Sequence, residues 1–362
     1  MPLPRLALTT LMLCILGGIG GFIASLTPLP LPWLLGSLMT CAGLTIGLPH
    51  RVPDGYSFPQ PLRFTFIATI GLVIGAQVSP DLIGSPTTLA ISMAAIVLFV
   101  PLAFAVNFLI FRRLGGYDFT TAYYSAAPGG LIESIAMGEA AGADIRRLVT
   151  QQFLRIIGVI GLVPLGLSLW EGHPVGSAAG MGVAANAAPV NWLMLLAALG
   201  GGIALGKLLH LPAWQLTGAL VVSATLSLWG HPISVPGWLV SLAQIVVGTS
   251  LGMRFAGLSR AMLLRGLWLS LISVSAMLLI GAALSLILIP LTGQNFEVLL
   301  ITFAPGGVNE MALVALSLEA NPAFVTLHHV FRITVTVLSL GLMKRWLMRP
   351  GAARRDDDPT KL

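Results

Sequence analysis

Charged side chains are scarce in this chain of 362 residues: Asp, Glu, Lys and Arg together make up 9% of it, whereas 56% is hydrophobic. A soluble globule of this size needs far more charge to cover its surface, so a soluble enzyme or a soluble transcription factor is excluded. Histidine and cysteine are scarce as well. The six histidines form no i,i+4 pair, which argues against a metal-dependent oxygenase, and the two cysteines lie apart in apolar runs. We therefore expect no enzyme, no metal site and no cofactor.

Long apolar runs are what the chain has instead, and its mean hydropathy is +0.92. Runs of roughly 17 to 25 residues match the ~30 Å hydrocarbon layer that a transmembrane helix must cross. The predicted fold is an all-α polytopic membrane protein. Ten spans are predicted, at residues 6–26, 32–48, 62–78, 87–111, 145–169, 192–209, 212–229, 238–253, 266–290 and 323–343. The first run is too long for a signal peptide and has no small-x-small cleavage site, so we interpret it as the first span.

One short stretch occurs twice. Ala-Pro-Gly-Gly at 127–130 is followed by Glu133 and, 22 residues beyond that acid, by Arg155. After an interval of 177 residues the same pattern returns, with Ala-Pro-Gly-Gly at 304–307, Glu310 and Arg332. The two copies lie in shorter, broken apolar segments at 119–141 and 295–318. The chain is therefore predicted to be duplicated, and its units are membrane repeat 1 (1–170), a linker (171–188), membrane repeat 2 (189–348) and a cytoplasmic tail (349–362).

The distribution of Lys and Arg between spans indicates how the broken segments lie. If each broken segment enters and leaves on one side, all basic loops fall on the same side and the opposite loops carry acids such as Asp81 and Glu297. Full crossing would move the arginines at 146–147 and 254–265 to the outside, against the positive-inside rule. Charge therefore favours five spans and one re-entrant hairpin per half. Because five is odd, the repeats are inverted, with both termini on the cytoplasmic side of a bacterial inner membrane.

Inverted repeats with interrupted helices are typical of secondary transporters, whose sites lie near the membrane midplane. Glycines leave backbone N–H groups open to a solute, and ionised side chains at that depth need partners or water. We expect the two acids to couple transport to an ion, and the two arginines to contact substrate or to balance the acids. Purely structural Glu–Arg pairs are the alternative. The predicted substrate and ion site comprises Pro128, Gly129, Gly130, Glu133, Gln151, Arg155, Pro305, Gly306, Gly307, Asn309, Glu310, His328 and Arg332.

The doubled motif, its trailing arginines and the Leu-Pro-Trp-Leu-Leu-Gly stretch at 31–36 resemble the AbrB family of bacterial membrane proteins. Members of that family have been labelled ammonia monooxygenases or regulators of gene expression. The architecture is also similar to the larger cation-antiporter and anion-transporter group. That resemblance implies an elevator-type mechanism, by analogy of fold alone.

The predicted function is secondary active transport of a small organic solute, an anion or an amino acid, coupled to H⁺ or Na⁺ by alternating access. The alternative is a membrane-embedded solute sensor that affects gene expression indirectly. The expected partners are the lipid bilayer, the solute and a second copy in a homodimer, as in elevator relatives. No nucleic-acid partner is expected, because the net charge of +6 resides in short loops whose basic residues topology explains.

Overall fold

The computed structural model of the protein describes residues 3–27, 29, 31–53, 55–78, 86–172, 190–211, 213–256, 260–317 and 321–347, and the regular elements within those residues are all helical. In chain order the α-helices are α1 (Leu3–Ser25), α2 (Pro32–Gly47), α3 (Gln60–Ala76), α4 (Pro86–Leu109), α5 (Phe119–Ser125), α6 (Leu131–Ala140), α7 (Ile145–Glu171), α8 (Trp192–Leu208), α9 (Trp214–Leu228), α10 (Gly237–Gly252), α11 (Arg260–Thr292), α12 (Phe296–Phe303), α13 (Val308–Ser317) and α14 (Pro322–Leu347). The predicted tail, and all but the first two residues of the predicted linker, lie outside the described residues.

Ten of these helices correspond in order to the ten predicted spans. Six of them, α1, α4, α7, α10, α11 and α14, are long and apolar enough to cross a membrane. The other four, α2, α3, α8 and α9, are apolar but have only 15 to 17 residues. At 1.5 Å per residue they measure roughly 22 to 26 Å, somewhat less than the hydrocarbon layer. The helix lengths and their composition make the chain a multi-pass helical membrane protein.

The helices pack as two bundles, and the packing pattern is the same for both halves of the chain. The first bundle contains α1–α3 and α8–α10, and the second contains α4–α7 and α11–α14. In the first bundle the contact between α1 and α2 corresponds to the contact between α8 and α9. The contact between α2 and α10 likewise corresponds to the contact between α9 and α3. In the second, α7 lies against α11 as α14 lies against α4. In these contacts a helix of the second half takes the place of the helix seven before it.

Glycines make the closest helix crossings, again at equivalent places. A methyl group added at Gly36 of α2 would overlap the carbonyl oxygen of Gly20 in α1. One added at Gly218 of α9 would overlap the carbonyl oxygen of Gly202 in α8. Such backbone-to-backbone contact is what small residues provide where helices associate in a membrane.

Substituting Gly218 tests whether this crossing matters for stability. Gly218→Ala is expected to destabilise the protein by about 2 kcal/mol or more, because its methyl group would overlap Gly202 and lie 2.7 Å from the Cα atom of Gly206. Gly201→Ala is the matched control, since a methyl group there meets no heavy atom within 4 Å. The control should be neutral or slightly stabilising, given alanine's better helix propensity. Thermal unfolding in detergent measures both, and equal melting temperatures would contradict the role assigned to the crossing.

The two broken segments are hairpins of short helices. Their arms, α5, α6, α12 and α13, have 7, 10, 8 and 10 residues, so each arm reaches at most about 15 Å, half of the hydrocarbon thickness. In the first hairpin the arms run back along each other. A methyl group at Gly138 would lie 3.3 Å from the Cβ of Tyr124, and the Asp144 backbone N–H donates to the hydroxyl of Thr121 over 2.8 Å. The start and the end of this segment are therefore neighbours.

Candidate functional site

The duplicated Ala-Pro-Gly-Gly stretches form the tips of the two hairpins. Residues 126–130 join α5 to α6 and residues 304–307 join α12 to α13. Gly130 has φ of +62°, a left-handed conformation that glycine adopts without strain. Residues 126–130 and 304–306 are buried. The backbone that lacks helical hydrogen bonds is thus enclosed by protein at both tips, as it must be if it lies within a membrane.

The two arginines hold the tips by their carbonyl groups. Arg155 of α7 donates to the carbonyl of Ala127, and Arg332 of α14 donates to the equivalent carbonyl of Ala304. Arg332 also donates to the carbonyls of Gly306 at 2.7 Å and of Phe303 at 3.4 Å. The exposed fractions of the Arg155 and Arg332 side chains are only 5% and 1%. Carbonyls at a helix C-terminus lack intrahelical donors and carry the negative end of the helix dipole, so a guanidinium satisfies both needs.

A second pair of side chains repeats the same support one helical turn earlier. The amide of Gln152 donates to the carbonyl of Tyr124 over 3.0 Å, and His329 bonds through Nε2 to the equivalent carbonyl of Ile301 over 2.9 Å. Because Nε2 of His329 faces a carbonyl, it must donate, and Nδ1 then accepts from Arg332 over 3.2 Å. His329 is thereby held as the neutral imidazole.

Gln151 and His328, which the sequence placed in the site, lie behind this support. The amide of Gln151 donates to the hydroxyl of Tyr117 over 2.9 Å. His328 bonds through Nδ1 to the carbonyl of Phe324 and through Nε2 to the hydroxyl of Ser92, both over 2.7 Å. The sequence pointed to the correct helical turn, but the repeated contacts to the hairpins come from the next residue along, Gln152 and His329.

The two acids fold back over their own tips. Glu133 and Glu310 are the third residues of α6 and α13. A carboxylate oxygen of Glu133 lies 3.4 Å from the point that a Cβ on Gly130 would occupy, and one of Glu310 would overlap a Cβ on Gly307. Each carboxylate therefore lies at the N-terminal end of the second arm, where the helix dipole favours negative charge. In the described residues neither acid forms an ion pair with Arg155 or Arg332, so the structure does not contain the Glu–Arg pairs that were the alternative prediction. Each side of the break has its own cap instead.

Both tips open into one cavity of about 150 Å³. Eight of the predicted site residues line it: Gly129, Gly130, Glu133, Arg155, Gly306, Gly307, Asn309 and Glu310. The other five, Pro128, Gln151, Pro305, His328 and Arg332, are buried behind its lining. The structure thus brings the two halves of the duplicated motif together at one place. No group of three His, Cys, Asp or Glu side chains is placed to hold a metal ion in the part of the chain that the structure describes.

Two arginines of the first bundle complete the cavity, and sequence reasoning missed both. Arg63 lies in the first turn of α3, and Arg254 follows α10 directly. The guanidinium of Arg254 lies over the ring of Phe153, 4.6 Å from its centroid, whereas Nε of Arg63 is buried without a hydrogen-bond partner among the described residues. The sequence signal for each was an arginine at the end of an apolar span. The positive-inside rule already explains such arginines, so neither was predicted to belong to the site.

The two hairpins are not equally enclosed. Glu310 is buried, with 4% of its surface exposed, and α13 packs against α3 of the first bundle. Glu133 is exposed, and the neighbouring Ile132 has 73% of its surface exposed. The equivalent of Ile132 is Asn309, half-buried in the cavity. One hairpin is therefore lodged against the first bundle while the other remains open.

The chain is similar to known proteins over most of its length. Residues 51–348 match the sequence model of a family described as "Transition state regulatory protein AbrB". The chain is 27% identical over 352 residues to "Putative regulator AbrB" of Escherichia coli (strain K12), which covers 93% of this chain and 95% of that one. It is 24% identical over 360 residues to "Uncharacterized protein YhjN" of Bacillus subtilis (strain 168), with coverage of 93% and 92%. Since the family match spans most of the chain, this membrane protein belongs to the AbrB family.

Proposed function

We propose that the protein is a secondary active transporter of a small organic anion or amino acid, coupled to H⁺ or Na⁺ through an elevator-type movement. The observation that carries the proposal is the single cavity into which both hairpin tips open, lined by two acids and by arginines of both bundles. Interrupted helices that meet at such a cavity are the feature of secondary transporters that binds substrate and coupling ion. The chemistry requires no cofactor and no catalytic group.

The directions of neighbouring helices support inverted repeats. Gly71 and Gly75 of α3 pack against Leu216 and Leu220 of α9 in the same order, so these two helices run parallel. If α2 and α3 cross the membrane in opposite directions, as successive spans do, then α9 runs opposite to α2. Because α9 takes the place of α2 in the second half, corresponding helices are inverted. Together with the positive-inside rule, this supports a cytoplasmic location for both termini.

The division into two bundles supports the elevator movement. Both hairpins and the helices that carry Arg155 and Arg332 belong to the second bundle, whereas Arg63 and Arg254 belong to the first. The cavity therefore lies on the boundary between the bundles. Sliding the second bundle along the first would bury one hairpin and free the other. The unequal enclosure of Glu310 and Glu133 fits one end position of such a movement.

The side chains of the cavity favour an anionic group in the substrate. Arg155 and Arg332 are already engaged by tip carbonyls. Arg63 and Arg254 form no ion pair with any acid in the described part of the chain, so their guanidinium groups remain to receive a carboxylate. The nearby Glu310 is placed to face the ammonium group of an amino acid or to take up the coupling ion. The cavity volume restricts the choice to small solutes.

Uptake into proteoliposomes tests the proposal. Uptake of a panel of radiolabelled carboxylates and amino acids is measured under imposed H⁺ and Na⁺ gradients. The wild type is compared with the cavity variant Arg63→Gln/Arg254→Gln and with the control variant Arg51→Gln/Lys207→Gln. The last variant removes the same charge from exposed positions outside the cavity. We expect gradient-driven uptake of a panel member by the wild type and the control, and at least a roughly tenfold reduction in the cavity variant, from the loss of charge-assisted bonds.

A sensor would give a different result. The family description and the name of the Escherichia coli relative contain regulatory terms. If panel members raise the melting temperature of the purified protein but no gradient drives their uptake, the cavity binds solute without moving it. That outcome would replace the transporter proposal with regulation through solute binding.

A further inference from the structure

A second cavity, of about 860 Å³, lies at the end of the second bundle where α7 and α11 begin. The turn before α5, residues 114–117, forms one wall, and the first turns of α7 and α11 form the others. Two arginines line it, Arg147 of α7 and Arg265 of α11. It is separate from the cavity between the hairpin tips, because the two share no lining residue.

The length of α11 places this cavity at the depth of lipid headgroups. The helix has 33 residues, hence about 50 Å, which exceeds a ~30 Å hydrocarbon layer by roughly 20 Å. If the excess is shared between the ends, the first six or seven residues lie in the headgroup region. Arg265 is then level with lipid phosphates. Trp268, one turn further along, is level with the interface, where tryptophan is enriched.

The lining combines two exposed cationic side chains with an apolar outer rim. Arg265 is exposed and makes no hydrogen bond or ion pair with the residues that the structure describes. Arg147 is exposed too, with Nε 3.2 Å from Asp144 and its guanidinium 5.3 Å from the centroid of the Tyr117 ring. The rim consists of exposed apolar side chains, those of Leu114, Leu264 and Trp268. Cationic groups inside an apolar rim complement a phosphate that is attached to acyl chains.

The internal duplication provides a comparison within the molecule. At the equivalent place in the other half, 177 positions away, Arg147 corresponds to Phe324 and Arg265 corresponds to Thr88. The two arginines of this cavity therefore have no charged counterparts in the other half, so the charged lining occurs at one end of the bundle. That end is the one predicted to be cytoplasmic.

We propose that this cavity binds the phosphate headgroup of an anionic glycerophospholipid, through Arg147 and Arg265, with its acyl chains lying along Trp268 and Leu264. Basic cavities between transmembrane helices at the membrane surface are suited to such headgroups. Guanidinium groups form charge-assisted, often paired, hydrogen bonds to phosphate oxygens. The proposal depends on the membrane location of the chain and not on its transport activity.

Native mass spectrometry of the purified, full-length protein in detergent tests the proposal, with phosphatidylglycerol as the probe and phosphatidylcholine of the same acyl chains as its neutral counterpart. Arg147→Gln/Arg265→Gln is compared with the charge-matched control Arg51→Gln/Lys207→Gln. We expect the wild type and the control to bind phosphatidylglycerol equally, and the cavity variant to bind it roughly tenfold to thirtyfold more weakly.

Three results would overturn the proposal. Phosphatidylglycerol could bind the cavity variant as tightly as the wild type, or phosphatidylcholine could bind the wild type as well as phosphatidylglycerol does. Inorganic phosphate could displace phosphatidylglycerol at equal concentration, which would identify a site for a free anion. If the double variant does not purify as a monodisperse species, the single variant Arg265→Glu replaces it, because residue 265 is exposed on the surface of α11.

Discussion

Replacing Arg332 with alanine is expected to cost roughly 3 to 6 kcal/mol of stability, since each buried polar group left unsatisfied costs about 1 to 3 kcal/mol. The substitution removes a donor from three carbonyls, those of Phe303, Ala304 and Gly306, of which that of Ala304 still accepts from the backbone N–H of Gly306 over 2.8 Å. It also removes the hydrogen bond to Nδ1 of His329. None of these acceptors can turn to water, because residues 303–306 and His329 are buried. Folded proteins have only about 5 to 15 kcal/mol of stability in total, so we expect Arg332→Ala to be poorly folded.

Two matched variants separate this effect from loss of charge alone. Arg155→Ala removes the donor to a single described carbonyl, that of Ala127, so it should cost less than Arg332→Ala. Arg332→Lys keeps the charge but loses the planar fork, and its stability should lie between those of the alanine variant and the wild type. Melting temperatures in detergent and the yield of monodisperse protein measure all three. If Arg332→Ala melts at the same temperature as the wild type, the hydrogen bonds from Arg332 to the second hairpin are dispensable for stability.

Glu310→Gln is expected to abolish gradient-driven accumulation while the protein still folds. A gradient of one pH unit supplies about 1.4 kcal/mol per proton, which supports about tenfold accumulation of a solute carried with one proton. Glutamine keeps the size and polarity of Glu310 at the start of α13 but cannot take up a proton or bind Na⁺ as a carboxylate does. We therefore expect accumulation to fall to the level of equilibration, with exchange of labelled for unlabelled solute retained.

The equivalent variant of the first hairpin is the control. Glu133 is exposed, whereas Glu310 is buried in the cavity with Arg63 and Arg254. Water can compensate a change at Glu133 more easily, so Glu133→Gln should reduce accumulation less than Glu310→Gln. If Glu310→Gln accumulates solute as fully as the wild type and melts at the same temperature, Glu310 has no role in ion coupling.

Much of the architecture was accessible from the sequence because apolar run length and the repeated motif are both local signals. The ten helices predicted as spans and both breaks lie where they were predicted, and six of those helices are long and apolar enough to cross a membrane. The roles of the arginines were not accessible in the same way. A guanidinium near a break suits a carboxylate ligand or a helix carbonyl equally, and only the distance between Arg332 and the carbonyl of Ala304 distinguishes the two.

The contribution of the first bundle was hidden for a different reason. Arg63 and Arg254 lie at helix ends distant in sequence from either motif, and only the packing of the two bundles brings them to the cavity. The glycine cluster at 200–202 is another case in which the sequence does not show which residue makes the contact. A methyl group added at Gly200 or Gly201 would meet no heavy atom within 4 Å, whereas one added at the adjacent Gly202 would lie against the backbone of α9. Helix rotation decides which glycine is used.

Each hairpin break has its own compensating charges, with an arginine at the end of the first arm and a glutamate at the start of the second. If the second bundle moves as proposed, these charges balance one another, and no bound solute is needed to neutralise the hairpins during the movement. A transporter of this kind would then return without solute, and we expect net import or export in addition to one-for-one exchange.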